Sequence, residues 1–366
     1  MSNSPPREHL KPLEPLDIRA AESLSELLEQ MSKTAFGGRE LGEAFGVLKA
    51  MVADPECTVV VTVAGAMSIA KMSFVLCEMM ELGLADIIVS TGAFLAHEVA
   101  QALGCQHYAH DPQVSDRALL DAGFNRVYDS LELDSNLTRV DELVMEVLER
   151  SGEVAPQSSF AIYRVLGKRL LELGCIPSVL GSAFQKGIPV YTPAFTDSEI
   201  GLAVGIETLC RKVSTDIESF LGQVPQFNPF LDLHDYTRRI LSAKHLGIFT
   251  IGGGVPRNWA QQAGPFVDAI NYFTGSQLEP PRFRYGIRIC PEPVHWGGLS
   301  GCTYSEGITW GKFVPVEDGG RFAEVHCDAT IAWPVLIRAI IESLPRRAGG
   351  DSAPSPGPES VVPSTP

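Results

Sequence analysis

Thr58-Val59-Val60-Val61-Thr62-Val63, running straight into Ala64-Gly65-Ala66, decides the fold. A short β-branched strand gives way to small residues and then to a helical pattern reaching Met80, and the same rhythm recurs three more times. Asp86-Ile87-Ile88-Val89 runs into Ser90-Thr91-Gly92-Ala93, and Ile188-Pro189-Val190-Tyr191 runs into Thr192-Pro193-Ala194-Phe195-Thr196-Asp197. His245-Leu246-Gly247-Ile248-Phe249-Thr250-Ile251 runs into Gly252-Gly253-Gly254, and Pro256 suits a first helical turn because its φ is fixed near the helical value. Strands alternating with helices make an α/β fold. Open parallel sheets bind ligands beyond the carboxyl ends of their strands. Four strand ends rich in Gly, Ser and Thr therefore imply a nucleotide cleft, although any one of them alone is explained as a tight turn.

The surroundings of these strands fit a single large unit. Of the 366 residues 45% are hydrophobic and 20% charged, enough apolar material for a sizeable core and unlike the composition of a disordered chain. A helical pattern with Leu24, Leu27 and Leu28 on one side opens the ordered part, so a catalytic domain over residues 19–345 is expected. It is preceded by a flexible, Pro-broken segment 1–18 and followed by a disordered tail, 346–366, in which Pro, Gly and Ser recur too often for regular structure. The formal charge of -15 argues against nucleic acid, which needs clustered Lys and Arg. Neither a signal peptide nor an apolar run long enough for a membrane is visible, so a cytoplasmic protein without a membrane partner is expected. The eight cysteines show no paired zinc spacing, so no metal is expected and reduced, buried thiols are the natural reading.

Several residues have the chemistry of a site. Gly252-Gly253-Gly254 lets backbone approach a phosphate and presents N–H groups at a helix start, but it is not the spaced glycine fingerprint, so spacing alone does not name NAD. Asp197 either accepts ribose hydroxyls or caps a helix, and Asp328, before the apolar run Ala329 to Ile341, has the same two readings. The densest segment runs from Trp296 to Phe313 and contains Glu306, Trp310 and Lys312. A lysine nucleophile must be neutral, and an aromatic wall that excludes water lowers its pKa. Trp310 can supply that wall or hold an alkylammonium by cation–π attraction, with Glu306 as countercharge. A surface lysine beside a loop tryptophan is the plain alternative.

Thr309-Trp310-Gly311-Lys312, followed by Asp328-Ala329, resembles the signature end of the deoxyhypusine synthases, where a Ser-Trp-Gly-Lys motif holds the imine-forming lysine. The resemblance extends through Gly252-Gly253-Gly254-Val255, Pro193 to Asp197, Gly123 to Arg126 and Ser90 to Ala93, and covers roughly residues 60–342. It implies a doubly wound, mostly parallel, Rossmann-like NAD-binding fold, a homotetramer and sites shared across a subunit interface. The implied reaction oxidises spermidine by hydride transfer to NAD, captures the aminobutyl unit on Lys312 as an imine with release of 1,3-diaminopropane, and passes it to an acceptor amine as the hydride returns. Carried over by position, Lys312 is the nucleophile, and Trp310 and Glu306 contact the polyamine. Thr91, Asp197, Asp328 and Ala329 contact NAD, with Gly65, Ala66, Gly92 and Gly253 as further cofactor candidates.

The departures cluster on the amine side. Leu299 and Leu202 stand where eukaryotic deoxyhypusine synthases place polyamine-binding carboxylates, and Asn258 stands where they place a histidine. In the loop Tyr285 to Trp296, Glu292 or His295 is a candidate to restore the lost polar contacts. The pattern is similar to the deoxyhypusine synthase-like branch of bacteria. The acceptor is either a protein lysine or a small amine, and putrescine as acceptor would make homospermidine. An NAD-dependent amine dehydrogenase and an NAD-binding protein without transferase activity are the alternatives.

Overall fold

The structure, a computed structural model, describes residues 10–151, 157–210 and 225–344, together with positions 218 and 222. The expectations for residues 1–9 and for the 346–366 tail lie outside the described residues. Within them nine strands form two sheets: β1 (Cys57–Val63), β2 (Ile87–Ser90), β3 (His107–Ala109), β4 (Phe124–Val127), β5 (Ser130–Leu133), β6 (Val190–Tyr191), β7 (His245–Ile251), β8 (Tyr285–Ile289) and β9 (Arg321–Val325). The larger sheet has the order β6-β2-β1-β7-β8-β9, and every neighbouring pair is parallel. The chain builds outward from β1 through β2 to β6, returns to the other side of β1 for β7, and builds outward again. This is the doubly wound α/β topology, and its strand order reverses between β1 and β7, where such sheets open a ligand crevice. Register keeps the strand ends level, with Val63 opposite both Ser90 and Ile251, and Ile251 opposite Ile289.

Period-two alternation in the parallel strands divides the core. Val59, Val61 and Val63 face one layer with Phe45, Leu48, Trp333 and Leu336, whereas Val60, Val89 and Ile248 face the other with Tyr236, Ile240 and Ala260. The first layer includes the helices Phe36–Ala53 and Ala329–Ser343; the second includes Pro229–Ser242 and Gly254–Gln261. A strand covered on both faces reads as a continuous apolar run, which is why β1 and β7 are legible in the sequence. Each fully buried Val, Ile or Leu contributes about 1.5–3 kcal/mol relative to exposure, so these two layers dominate what holds the strand ends in place.

One expectation is corrected here. Tyr285 to Trp296 is not all loop, because Tyr285–Ile289 forms β8 between β7 and β9. Its Arg288 is 1% exposed and lies within the sheet because Glu324, its cross-strand partner on β9, takes its charge. The small antiparallel sheet β3-β5-β4 was also not read from the sequence. No helix of the described residues is long and apolar enough to cross a membrane.

Candidate functional site

Lys312 follows the helix Tyr304–Thr309 through a tight turn in which Gly311 takes φ +67°. Its backbone is held on both sides: its N–H donates to Gly307 O at 3.1 Å and its carbonyl accepts from Phe283 N at 3.0 Å. Gly307 is required here, since a Cβ would lie 2.6 Å from the Phe313 ring. The side chain is half-buried, and Nζ donates to Asn258 Oδ1 at 3.0 Å. Burial holds the Lys312 amine below the usual lysine value. The Arg257 guanidinium adds to this, while Cys302 and Glu306 work against it.

Arg257 is 2% exposed and makes one hydrogen bond, from Nη1 to Cys302 O at 2.7 Å; its Nε and Nη2 are buried without a protein acceptor. Two arginines thus converge on the chain just before the lysine, for Arg288 also donates to the carbonyls of Ser300 and Cys302. Arg288 Nη2 reaches Glu324 Oε2 at 2.8 Å, and Glu324 Oε1 accepts from Tyr304 N at 2.6 Å. This buried pair fixes the start of the lysine-bearing helix to the sheet. Reading β8 as loop hid Arg288, and the only sequence signal for the pair is an arginine in β8 and a glutamate in β9.

Trp310 caps the helix at its C-terminal end and is 65% exposed, so within one chain much of its ring is open to solvent. Glu306 is exposed on the first turn, its N–H taken by the Thr303 side chain. Leu202 and Leu299 are 59% and 48% exposed. The Glu292 carboxylate occupies the space that a side chain at residue 298 would need, since a Cβ on Gly298 would overlap its Oε1. It therefore lies against the backbone of Gly298, the residue before Leu299. His295 is exposed next to Trp296.

The cofactor candidates all lie beyond the carboxyl ends of the strands. Gly65, with φ +86°, and Ala66 follow β1 and are exposed. Thr91 caps the helix Gly92–Ala102, its hydroxyl accepting from Phe94 N at 3.4 Å. Gly92 touches Ser198, whose atoms would be 2.3 Å from a Cβ, so the ends of β2 and β6 are in contact. Gly253 stands before the helix Gly254–Gln261, and a Cβ there would lie 2.7 Å from Ser300 Cα. The same helix carries Asn258 and so joins the glycine run to Lys312. Asp197 is exposed and does not cap; Ser198 does, accepting from Gly201 N at 3.1 Å. Asp328 is the cap of the helix Ala329–Ser343, accepting from Thr330 N at 2.7 Å, and its side chain remains exposed. Ala329 is buried in that first turn. Asp197 and Asp328 come after the two edge strands of the larger sheet, β6 and β9.

Other features lie elsewhere. A cavity of about 240 Å³ lined by Phe160, Tyr163, Phe184 and Arg239 sits near the start of β6, away from the strand ends that form the crevice. The seven cysteines whose side chains are described are free; Cys77, Cys105 and Cys290 are buried and the other four only partly so.

The deoxyhypusine synthase family model matches residues 26–340. "Probable deoxyhypusine synthase 2" of Methanosarcina mazei is 32% identical over 332 residues, covering 90% of each chain. The "Deoxyhypusine synthase-like protein" of Chlorobaculum tepidum is 29% identical over 312 residues, 85% of this chain and 84% of that one. A crystal structure from Entamoeba histolytica that carries the deoxyhypusine synthase name superposes with a TM-score of 0.54 at 13% identity, over 89% of this chain and 96% of that one, and so shares the fold.

Proposed function

Since the chain belongs to the deoxyhypusine synthase family and is accordingly a transferase of aminobutyl groups, we propose that it works with NAD, takes a spermidine-like polyamine as donor, and carries the aminobutyl unit on Lys312. The observation that carries this reading is the state of Lys312, a half-buried amine oriented by Asn258 at 3.0 Å and held below the usual lysine value.

The crevice suits a dinucleotide. It lies at the topological switch point, and the glycine run leads into a helix start that favours a pyrophosphate. Gly65, Ala66, Thr91, Gly92 and Gly253 would hold NAD by backbone and hydroxyl contacts, Asp197 and Asp328 would take ribose hydroxyls, and Ala329 would pack against the cofactor. When bound, NAD supplies a hydride acceptor that later returns the hydride, so no net oxidation results. The neutral Lys312 Nζ forms a C–N bond to the oxidised carbon of the donor as the bond from that carbon to the departing 1,3-diaminopropane nitrogen breaks, and the proton lost by lysine leaves with that amine. Asn258 aims the lysine lone pair by accepting an N–H, and burial excludes the water that would hydrolyse the imine. Glu306 supplies countercharge to the polyamine, and Trp310 presents its ring face to an alkylammonium.

Leu202 and Leu299 favour a small amine such as putrescine as acceptor over a protein lysine, because they replace charge with apolar surface where a polyamine would otherwise be gripped. Glu292, which packs against Gly298 in the same loop, would restore one carboxylate. The exposed apolar side chains of Trp296, Leu299 and Trp310 support a homotetramer in which a second chain covers the lysine side of the crevice. The test is incubation with NAD and spermidine, with and without putrescine, followed by mass analysis of the amines. Release of 1,3-diaminopropane with appearance of homospermidine is expected; unchanged amines in both mixtures would contradict a spermidine donor.

A further inference from the structure

His107 on β3 and Glu132 on β5 are direct cross-strand partners in the small antiparallel sheet. Directly opposed residues on one face hold their Cβ atoms about 4.5–5.5 Å apart, so strand register alone brings these two side chains together. The helix Gly92–Ala102 packs alongside and contributes a third group, His97. Glu132 Oε2 lies 3.1 Å from His97 Nδ1 and 3.4 Å from His107 Nε2, and all three side chains are at least 87% buried. His107 Nε2 is buried with no hydrogen-bond partner, because its approach to Glu132 lacks hydrogen-bond geometry. The donor atoms of the three residues all lie within 4.8 Å of one another.

We propose that His97, His107 and Glu132 bind a divalent transition-metal ion of the zinc type, which staples the β3-β5-β4 sheet to the helix whose start carries Thr91 and Gly92. Two imidazole nitrogens and one carboxylate oxygen are a donor set that zinc accepts, leaving its fourth position to water. Zinc bonds of about 2.0–2.1 Å place tetrahedral ligands roughly 3.3–3.4 Å apart, close to the two spacings observed here. The nitrogen without a partner then gains one, and the buried carboxylate gains a cation. Lys71 Nζ lies 2.8 Å from His107 Nδ1. A metal on Nε2 makes Nδ1 a donor, so Lys71 must turn away. Lys71 is exposed, and its other bond, to Gln101 Oε1, is long at 3.4 Å.

The experiment uses the full chain, stripped with a chelator, desalted and titrated with zinc against a chromophoric competitor, with thermal melting in parallel. One zinc ion per chain is expected, with a zinc-dependent rise in Tm that excess chelator reverses. His97→Gln and Glu132→Gln should each weaken binding by about 100-fold or more, since loss of even an outer partner of a metal ligand costs 10–100-fold. Lys71→Ala, a surface change, should bind zinc at least as well as the parent. Absence of zinc binding by the parent chain, or loss of it in Lys71→Ala, would overturn the proposal. Equal retention by the parent and both ligand variants would mean an adventitious ion only, and would overturn it as well. If the ligand variants do not fold, the parent titration and the Lys71→Ala measurement still decide.

Discussion

Replacing Arg288 by Met should destabilise the protein far more than its conservative volume suggests. The guanidinium is 1% exposed, reaches Glu324 Oε2 at 2.8 Å, and also satisfies the carbonyls of Ser300 and Cys302. Methionine fills the space but leaves a mostly buried carboxylate without its partner, which costs about 3–5 kcal/mol. That is a large share of the ~5–15 kcal/mol by which a domain is typically stable. Replacing Glu324 by Leu as well removes the stranded charge, leaving Tyr304 N and the Ser300 carbonyl as the main unsatisfied groups, the buried N–H at about 1–3 kcal/mol. The double variant should therefore be more stable than either single one. Urea unfolding followed by far-UV circular dichroism, with slopes compared among variants, measures this directly. Arg288→Met within about 1 kcal/mol of the parent, or a double variant as costly as the sum of the singles, would show that this pair does not anchor the lysine-bearing segment.

Other consequences can be checked separately. Gly253→Ala places a Cβ 2.7 Å from Ser300 Cα, a backbone contact that cannot yield cheaply, so it should cost about 1–3 kcal/mol by the same unfolding assay and weaken NAD binding in calorimetry. The rate of covalent capture by Lys312 should rise with pH through a pKa below the usual lysine value of 10.5; Arg257→Met should move that rise to higher pH and Glu306→Gln to lower pH, as read by rapid-quench labelling. Glu98 is fully buried, accepts from Val179 N, and is pushed up by burial to about 7 from an ordinary 4.5. A carboxyl with a raised folded pKa stabilises at low pH, and that contribution is lost as pH rises from about 4.5 through 7. Glu98→Gln should therefore remove up to about 1.4 kcal/mol per pH unit of slope from the stability profile in that interval.

The strands that were legible in the sequence are those whose side chains are apolar on both faces. Val59 to Val63 and Leu246 to Ile251 leave no alternative to a buried parallel strand, and the small residues after them mark the crevice. β8 was hidden because a glycine and an arginine interrupt five residues, and only the distant Glu324 makes that arginine compatible with a sheet. β6 is shorter than the run from Ile188 suggests, with only Val190 and Tyr191 in register with β2. Lys312, Glu306 and Trp310 stand together in the sequence, on one short helix and the turn that follows it. Asn258, drawn from the pattern of departures, proves to be the lysine's hydrogen-bond partner, whereas Arg257, one residue before it, gave no sign of facing the same site. The exposure of Trp310 could not be read from composition, since a tryptophan next to a lysine has the same local sequence whether it is covered or open. His97, His107 and Glu132 are separated by a helix end and two strands, so no spacing rule connects them; only the register of β3 with β5 does.

The claim that Lys312 carries the transferred group is tested most directly by trapping. The protein is incubated with NAD and spermidine, quenched with borohydride during turnover, digested and mapped by mass spectrometry. The account predicts one reduced aminobutyl adduct, on the peptide containing Lys312, formed together with 1,3-diaminopropane and absent from Lys312→Arg. Release of 1,3-diaminopropane with no adduct on Lys312, or with the adduct on another lysine, would contradict it.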